Sequence, residues 1–384
     1  MKPVPYNPDH LARPASHNIA TILPPSEHFS PEAAGAIALF VKETTLGSSY
    51  QEHIAVYGCD NERQRRFAQI EFHDIKPSFS LFSGRNTRYT NAVTRHIRQH
   101  GAGMIEVHNR VQNFFQLAKA FPNTPITMHF HNDPQTIKGA ISPKDRWKII
   151  ERADAIYCCS DYVRRRFLTG LEAARSDHVH VVYYGVPPVE IPAQKEPVIL
   201  FVGRLIPEKG ALELAQAAAR LLPHFPNWKI AFVGANRPGG KGSTHYTKQV
   251  GKALEPLGKQ AIFMGYQTHT KTLELFARAS IAVVPSVWTE PFGRTAIEAM
   301  MAGCALVTSG HGGLIEACGD AGVLVSPVTS DGLALALQGL IEDPRTLHAI
   351  QQQCYERGQY FTLDNCQHHF DQLRYRLLAQ AYGG

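Results

Sequence analysis

The chain has 384 residues, more than one hydrophobic core ordinarily supports, and its 44% hydrophobic and 19% charged composition is that of a globular protein, not a disordered one. A formal net charge of +6 suits phosphorylated ligands, nucleic acid or an anionic membrane face, and no run approaches the roughly 20 apolar residues that span a bilayer. The opening MKPVPYNPDHLARPASHN has no apolar segment of the secretory kind and the cysteines form no Cys-x-x-Cys pair, so a cytoplasmic chain with reduced thiols is expected, without a disulfide frame or zinc cage.

Taken in chain order, short β-branched or apolar runs alternate with helical stretches. The first, HNIATILP, leads into PPSEHFSPEAAGAIALFVKE (Pro24 to Glu43), which enters a helix at Gly35. A glycine there serves either helix–strand packing or the close approach of a ligand. HIAVYG follows, and then arginines gather at Arg63, Arg65, Arg66, Arg85, Arg88, Arg95 and Arg98, with a second group at Arg164, Arg165 and Arg166. Such runs suit a solvated helix face, or a surface that meets anionic lipid or a phosphorylated acceptor. GMIEVHN ends on His108 and Asn109, and PITMHFHND carries His129 and His131, two apart and therefore on one side of a strand. Two histidines suggest a metal pair, but no third ligand is spaced to join them, so no metal is expected. AIYCCS and VHVVYYG complete the first half.

The proline-rich YGVPPVEIPAQKEP (Tyr184 to Pro197) reads as a linker, with a boundary near Pro192. Residues 1–192 and 193–366 then form two units. Beyond the linker, ILFVGRLIPEKG puts Gly203, Arg204 and Lys209 at a strand end, where two cations and close backbone approach suit a diphosphate. A surface pair with Glu208 is the plainer alternative. KIAFVGA opens the basic loop GANRPGGKG, AIFMGY and IAVVPS add strands, and TEPFGRTAIEAMMAG then sets Glu290 and Glu298 on either side of a Phe-Gly-Arg turn that starts a helix. CALVTSG runs into another glycine turn, SGHGGLIE (Ser309 to Glu316), and the chain finishes in helix. Buried strands joined by helical crossovers predict an α/β fold of two Rossmann-like doubly wound sheets, with ligand groups past the strands' carboxyl ends.

FVGRLIPEKG, followed about eighty residues later by PSVWTEPFGRTAIEAMMAGCALVTSGHGGLIE, resembles the nucleotide-sugar domain of family 4 glycosyltransferases, retaining enzymes of the GT-B fold. The likeness is strong from Pro197 to about Pro327 and continuous but weaker before it. It implies a C-terminal donor domain, an N-terminal acceptor domain completed by the last helix (about 367–384), and a cleft between them. By this likeness Arg204 and Lys209 hold the donor diphosphate, Glu298 takes the ribose hydroxyls, and Glu290 faces the sugar. Backbone N–H groups around Phe292, Gly293 and Arg294, with Gly203 and Gly35, complete the cradle. His131 reaches the donor sugar, so that Glu290, His131, Arg204 and Lys209 are the catalytic set. His108 and Asn109 lie toward the acceptor.

The implied reaction is metal-independent transfer of a hexosyl group from a UDP- or GDP-sugar to a glycan or glycolipid hydroxyl, in bacterial surface polysaccharide or lipopolysaccharide synthesis at the inner membrane face. The chain contains no Asp-x-Asp triplet of the kind that bridges a diphosphate through Mn²⁺, and two cations with a helix dipole can neutralise the leaving group instead. A sugar-nucleotide epimerase or hydrolase on the same fold would use the same phosphate groups without an acceptor. A basic nucleic-acid-binding protein fits less well, because the cations are not interleaved with aromatics on one element.

Overall fold

In the computed structural model the described residues are 18–59, 66–77, 84–171, 176–235 and 244–383. Arg63, Arg65 and most of the GANRPGGKG loop lie outside them.

Thirteen parallel strands among the described residues form two sheets. The first sheet contains β1 (Ile19–Ile22), β2 (Ile54–Gly58), β3 (Glu71–Asp74), β4 (Met104–His108), β5 (Ile126–Phe130), β6 (Ala155–Cys158) and β7 (Val179–Val181), in the order β3-β2-β1-β4-β5-β6-β7. β1, β2, β4, β5 and β6 are buried along their whole length, which explains why they read as continuous apolar runs instead of alternating ones. Helices α1 (Ala36–Leu46), α2 (Arg85–His100), α3 (Val111–Ala120), α4 (Pro143–Arg152) and α5 (Asp161–Leu168) make the crossovers. Their starts follow local chemistry. Ser142 caps α4 by accepting from the Asp145 N–H with Pro143 next in line, and Ser160 caps α5 by accepting from Val163 N–H.

The second sheet repeats the plan. β8 (Glu196–Val202), β9 (Lys229–Val233), β10 (Ala261–Gly265), β11 (Ala279–Val284), β12 (Ala305–Thr308) and β13 (Val323–Leu324) take the order β10-β9-β8-β11-β12-β13. Around it pack α6 (Ala211–Leu221), α7 (His245–Leu254), α8 (His269–Arg278), α9 (Arg294–Met301), α10 (Gly313–Cys318), α11 (Ser330–Glu342) and α12 (Pro344–Gly358). Both sheets are thus doubly wound, and the crossover direction reverses between β1 and β4 in one and between β8 and β11 in the other. Crevices form at those switch points, beyond the carboxyl ends of the strands.

After α12 the chain returns to the first sheet. Val186 and Thr362 form a parallel bridge, and α13 (Leu363–Tyr382) packs on α1. Arg374 of α13, 1% exposed, donates through Nε and Nη2 to the two oxygens of Glu106 on β4, at 2.9 Å each, and through Nη1 to Thr44 O at 3.0 Å. Thr21 of β1 donates to the same carboxylate at 3.0 Å. On the same helix Asp371 accepts from Ser48 Oγ and the Ser49 N–H, at 2.7 Å each. Every polar atom of a charged cluster inside an apolar core needs such partners, since an unpaired one costs about 1–3 kcal/mol or more. All seven cysteines are free thiols, five of them buried.

Candidate active site

Two joined cavities occupy the cleft between the switch points. One, of about 240 Å³, is lined by Lys209, Ser286, Glu290 and Gly293 with His131 and Tyr184 across from them. The other, of about 200 Å³, is lined by Glu298, His269, Tyr266 and Gly234, with Gly35 and Leu39 across. Gly203, Arg204 and Thr295 wall both. Arg204 is exposed at the mouth of β8 and has no carboxylate partner among the described residues.

The Glu290–Glu298 segment takes its shape from two glycine turns. Gly293, the residue before α9, has φ 107°, and a Cβ there would stand 2.3 Å from Leu314 Cδ2, so a side chain is excluded by both conformation and space. Gly210, with φ 66°, lets the start of α6 press on Pro285, whose oxygen would be 2.0 Å from an added Cβ. That contact brings Lys209 beneath the Ser286–Glu290 loop. There its ammonium binds Glu290 Oε1 and lies 5.3 Å from the centre of the Trp288 ring. Ser286 Oγ donates to the same Glu290 oxygen at 2.5 Å. Lys209 therefore holds Glu290 in place, a pairing the sequence reading did not foresee when it assigned the lysine to phosphate alone.

Glu298 is buried and held on Oε1 by Arg294 Nε at 2.7 Å and by His269 Nε2 at 2.8 Å. Burial alone would raise its pKa; Arg294 and His269 outweigh that and hold it below the usual carboxylate value. Arg294 also reaches across the cleft. Its Nη1 and Nη2 donate to the two oxygens of Glu43 on α1, each at 2.7 Å. Burial would lower the pKa of this guanidinium, but the two glutamates raise it above its ordinary value. The sequence reading used only the backbone N–H of Arg294, and neither Glu43 nor His269 was foreseen. No local signal marks them, since Glu43 lies 251 positions from its partner.

Further contacts join the two units. Ser160 Oγ donates to Pro291 O at 2.5 Å. Glu316 of α10 accepts from the N–H groups of Asp161 and Tyr162 at 2.8 and 3.1 Å, and from the Tyr183 hydroxyl at 2.5 Å. A carboxylate over the first turn of α5 is favoured by the helix dipole. Phe292, expected only to lend its backbone, buries its ring against Tyr183, Tyr184 and Phe361.

Gly35 does wall the cleft, immediately before α1, but a carboxylate already sits there. Glu27 Oε1 accepts from Ala38 N–H at 3.2 Å and would lie 2.6 Å from a Cβ on Gly35. Burial raises the Glu27 pKa, against the pull of the Ala38 N–H and of nearby His28 and Arg110. A side chain at Gly35 would therefore make the Glu27 carboxylate shift.

The histidines require correction. His108 and Asn109 do not form an acceptor surface. The His108 ring is 1% exposed, beneath His131, with Nδ1 2.8 Å from His131 Nε2. Asn109, held at φ 52°, accepts the His131 N–H on Oδ1 at 2.8 Å. Of the two histidines on and after β5, His131 lines the cleft, while His129 is buried near Tyr157 and Phe370. Nor was a third histidine lacking. β4 and β5 run parallel with His108 opposite His129, so one nitrogen each from His108, His129 and His131 falls within 4.8 Å of the others. Spacing along one strand could not reveal a neighbour on the next. Burial lowers the pKa of all three well below the ordinary histidine value, and mutual proximity lowers it further.

Two Rossmann-like units meeting at their switch points define the GT-B class of fold. Residues 47–190 match the family described as Glycosyltransferase Family 4, and residues 186–357 match Glycosyl transferases group 1. The chain belongs to the family 4 glycosyltransferases. Among curated relatives it is 29% identical over 244 residues to a lipopolysaccharide 1,2-N-acetylglucosaminetransferase of Salmonella typhimurium, covering 60% of this chain and 61% of that one. It is 32% identical over 225 residues to a glycogen synthase of Mycobacterium tuberculosis, covering 54% and 51%. The chain thus spans between half and two thirds of the length of these relatives. Among solved structures, a sucrose-phosphate synthase from Thermosynechococcus elongatus superposes with a TM-score of 0.77 at 22% identity, over 95% of this chain and all of that one. HepE of Anabaena, in complex with UDP and glucose, gives 0.73 at 19% identity over 93% and 99%. These are likenesses of fold.

Proposed function

We propose that the protein transfers a hexosyl group from a nucleotide diphosphate-sugar to an acceptor hydroxyl, with retention at the anomeric carbon and without a metal ion. The observation that supports this best is the division of the cleft. Glu290 lies in one cavity, Glu298 in the other, and Arg204 borders both. A molecule with a sugar at one end, a nucleoside at the other and two phosphates between them fits that sequence of groups.

In this reading the diphosphate lies against Arg204 and the start of α9, where free N–H groups and the helix dipole favour negative charge. Glu298 takes ribose hydroxyls, its Oε1 already fixed by Arg294 and His269. Glu290, oriented by Lys209 and Ser286, faces the sugar, and His131 walls the sugar end. As the C1–O bond to phosphate breaks, an acceptor oxygen bonds to C1 and its proton passes to the departing diphosphate. Arg204, with Lys209 close by, stabilises the charge that grows there. Contacts between the units, Arg294 with Glu43 above all, hold the cleft closed against water. UDP- and GDP-sugars are the first donors to test, and a glycan or glycolipid hydroxyl is the acceptor, in the building of a cell-surface polysaccharide or lipopolysaccharide. The basic runs suit an anionic membrane surface near that acceptor.

The test is calorimetry and thermal shift with UDP, GDP, ADP and their sugar conjugates, on the wild type and on Arg204→Ala. Binding of one nucleotide series that weakens at least tenfold in the variant is expected. No binding by the wild type at millimolar concentration would overturn the reading. Donor consumed at the same rate with and without any acceptor would favour an epimerase or hydrolase.

A further inference from the structure

The first sheet has its own switch point, between β1 and β4, and two arginines meet there that the transfer step does not use. Arg85, the first residue of α2, donates from Nη2 to Pro25 O at 3.0 Å. Arg110, just past the end of β4, donates from Nη2 to Ser26 Oγ at 3.3 Å and from Nη1 to Asn109 O at 3.2 Å. Pro25 and Ser26 follow β1, so the two guanidinium groups bond adjacent residues of one loop. Two links tie this corner to the cleft. Glu27, next after Ser26, bonds beside Gly35, and Asn109 accepts the N–H of His131; Gly35 and His131 each line one of the two cavities.

Neither arginine has a carboxylate partner among the described residues. From Arg85 to Asn132 the sequence contains a single acid, Glu106, which Arg374 and Thr21 already occupy. Glu27 accepts from Ala38 N–H and hydrogen-bonds neither arginine. A guanidinium carries five N–H donors, of which Arg85 uses one and Arg110 two, so most of each fork is uncommitted. One turn along α2, Arg88 Nε is buried without a partner. A neutral amide could pin the loop as well, whereas two like charges at neighbouring positions repel unless an anion answers them.

We propose that Arg85 and Arg110 bind a phosphate group on the acceptor, so that the acceptor is a phosphorylated glycan or glycolipid and not a neutral one. The planar forks of two arginines match phosphate oxygens in geometry as well as charge. The proposal rests on the transferase reading for there being an acceptor, but not for the phosphate site. In that reading the donor lies along the second unit, from Glu298 past Arg204 to Glu290, and the acceptor hydroxyl approaches from the first. The loop after β1 and the turn after β4 border the crevice on that side.

The site is tested first without turnover, by titrating inorganic phosphate into Arg204→Ala protein, which lacks the cation of the donor cavities. Millimolar binding is expected by calorimetry, weakened about tenfold or more when Arg85→Gln or Arg110→Gln is added and less by Arg110→Lys, which keeps a point charge. Turnover is then compared over matched acceptors: glucose with glucose 6-phosphate, N-acetylglucosamine with its 6-phosphate, and diacylglycerol with phosphatidylglycerol in phosphatidylcholine vesicles. The phosphorylated member of at least one pair should have the higher kcat/KM, by about 100-fold, a soluble pair placing the phosphate on a sugar and the vesicle pair on a lipid. Arg85→Gln and Arg110→Gln should each cut that preference about tenfold through KM, with the neutral member unaffected. Equal use of both members of every pair that is turned over, a variant that slows both members alike, glucuronate preferred to glucose 6-phosphate, or no phosphate binding by Arg204→Ala would each overturn the proposal. If no acceptor is glycosylated, the phosphate titration alone decides the site. If no nucleotide binds either, the transferase reading fails while that titration still stands.

Discussion

Two buried arginines in this protein do the same chemistry to different ends. Arg374 and Arg294 each present a fork to both oxygens of a distant glutamate, Glu106 in one case and Glu43 in the other, and each has a second carboxylate within its own helix, Asp371 and Glu298. In both, burial would lower the pKa and the carboxylates raise it. Arg374 is surrounded by one unit's core, whereas Arg294 spans the cleft and touches a glutamate that lines it. Charge, burial and pairing are alike, so what separates architecture from function is whether the carboxylate held is itself open to a ligand.

The largest effect should come from breaking the architectural case. Arg374→Met leaves Glu106 charged and buried, and about 3–5 kcal/mol of stability should be lost, seen as a shift of the denaturation midpoint. The double variant with Glu106→Leu should regain much of it. Arg294→Met also unpairs buried carboxylates, but is expected to be read chiefly in binding. Donor affinity should fall about 100-fold by calorimetry, from the loss of charge-assisted bonds that fix Glu298, while the midpoint moves less than for Arg374→Met. Arg294→Lys should not restore it, since an ammonium cannot make the bidentate contact. Equal losses of stability in the two arginine variants, with no selective loss of binding in Arg294→Met, would erase the distinction.

The histidine cluster offers an intermediate case, ionisable but uncharged. His108, His129 and His131 have pKa values lowered below 6.5 by burial first and by each other and, for His108 and His129, Arg374 as well. Below pH 6.5 the unfolded chain takes up protons that the folded chain refuses, so stability falls as the pH drops through that range. The slope is at most about 4 kcal/mol per pH unit for three protons, and His129→Leu should flatten it by about a third in denaturation curves measured from pH 7 to 5.

The smallest effect concerns a carboxylate that no arginine bonds. Glu27 accepts from the first turn of α1 beside Gly35, which walls the cleft proposed for the donor. Removing its charge in Glu27→Gln should tighten nucleotide binding about two- to fivefold, the range of a single helix-end charge. Weaker binding in that variant would mean that the carboxylate assists the ligand instead of opposing it.

What could be read from the chain without coordinates was whatever is local. The strands buried on both faces appear as apolar runs, and the Glu290–Glu298 spacing with its glycine turn is contained in nine residues. β3 was missed because Glu71–Asp74 is a charged and partly exposed edge strand, and β13 because it has only two residues. The partners that give the site its electrostatics could not be read, since Arg374 lies 268 positions from Glu106 and Tyr184 lies 53 from His131. Side-chain direction misled as well. Expecting His108 and Asn109 to face a ligand followed from their place at a strand end, but the tight turn at Asn109 folds both against His131.

The return of α13 to the first sheet has a consequence for the order in which the molecule is made. Synthesis runs from the N-terminus at about 5–20 residues per second, and domains generally fold as units as they emerge. The first sheet cannot close its core when its own strands emerge, because Ser48 and Glu106 wait for Asp371 and Arg374, 323 and 268 positions downstream. The second sheet, with all its strands between Glu196 and Leu324, has its parts sooner. Of the two sheets, the one synthesised first is therefore the later to be completed.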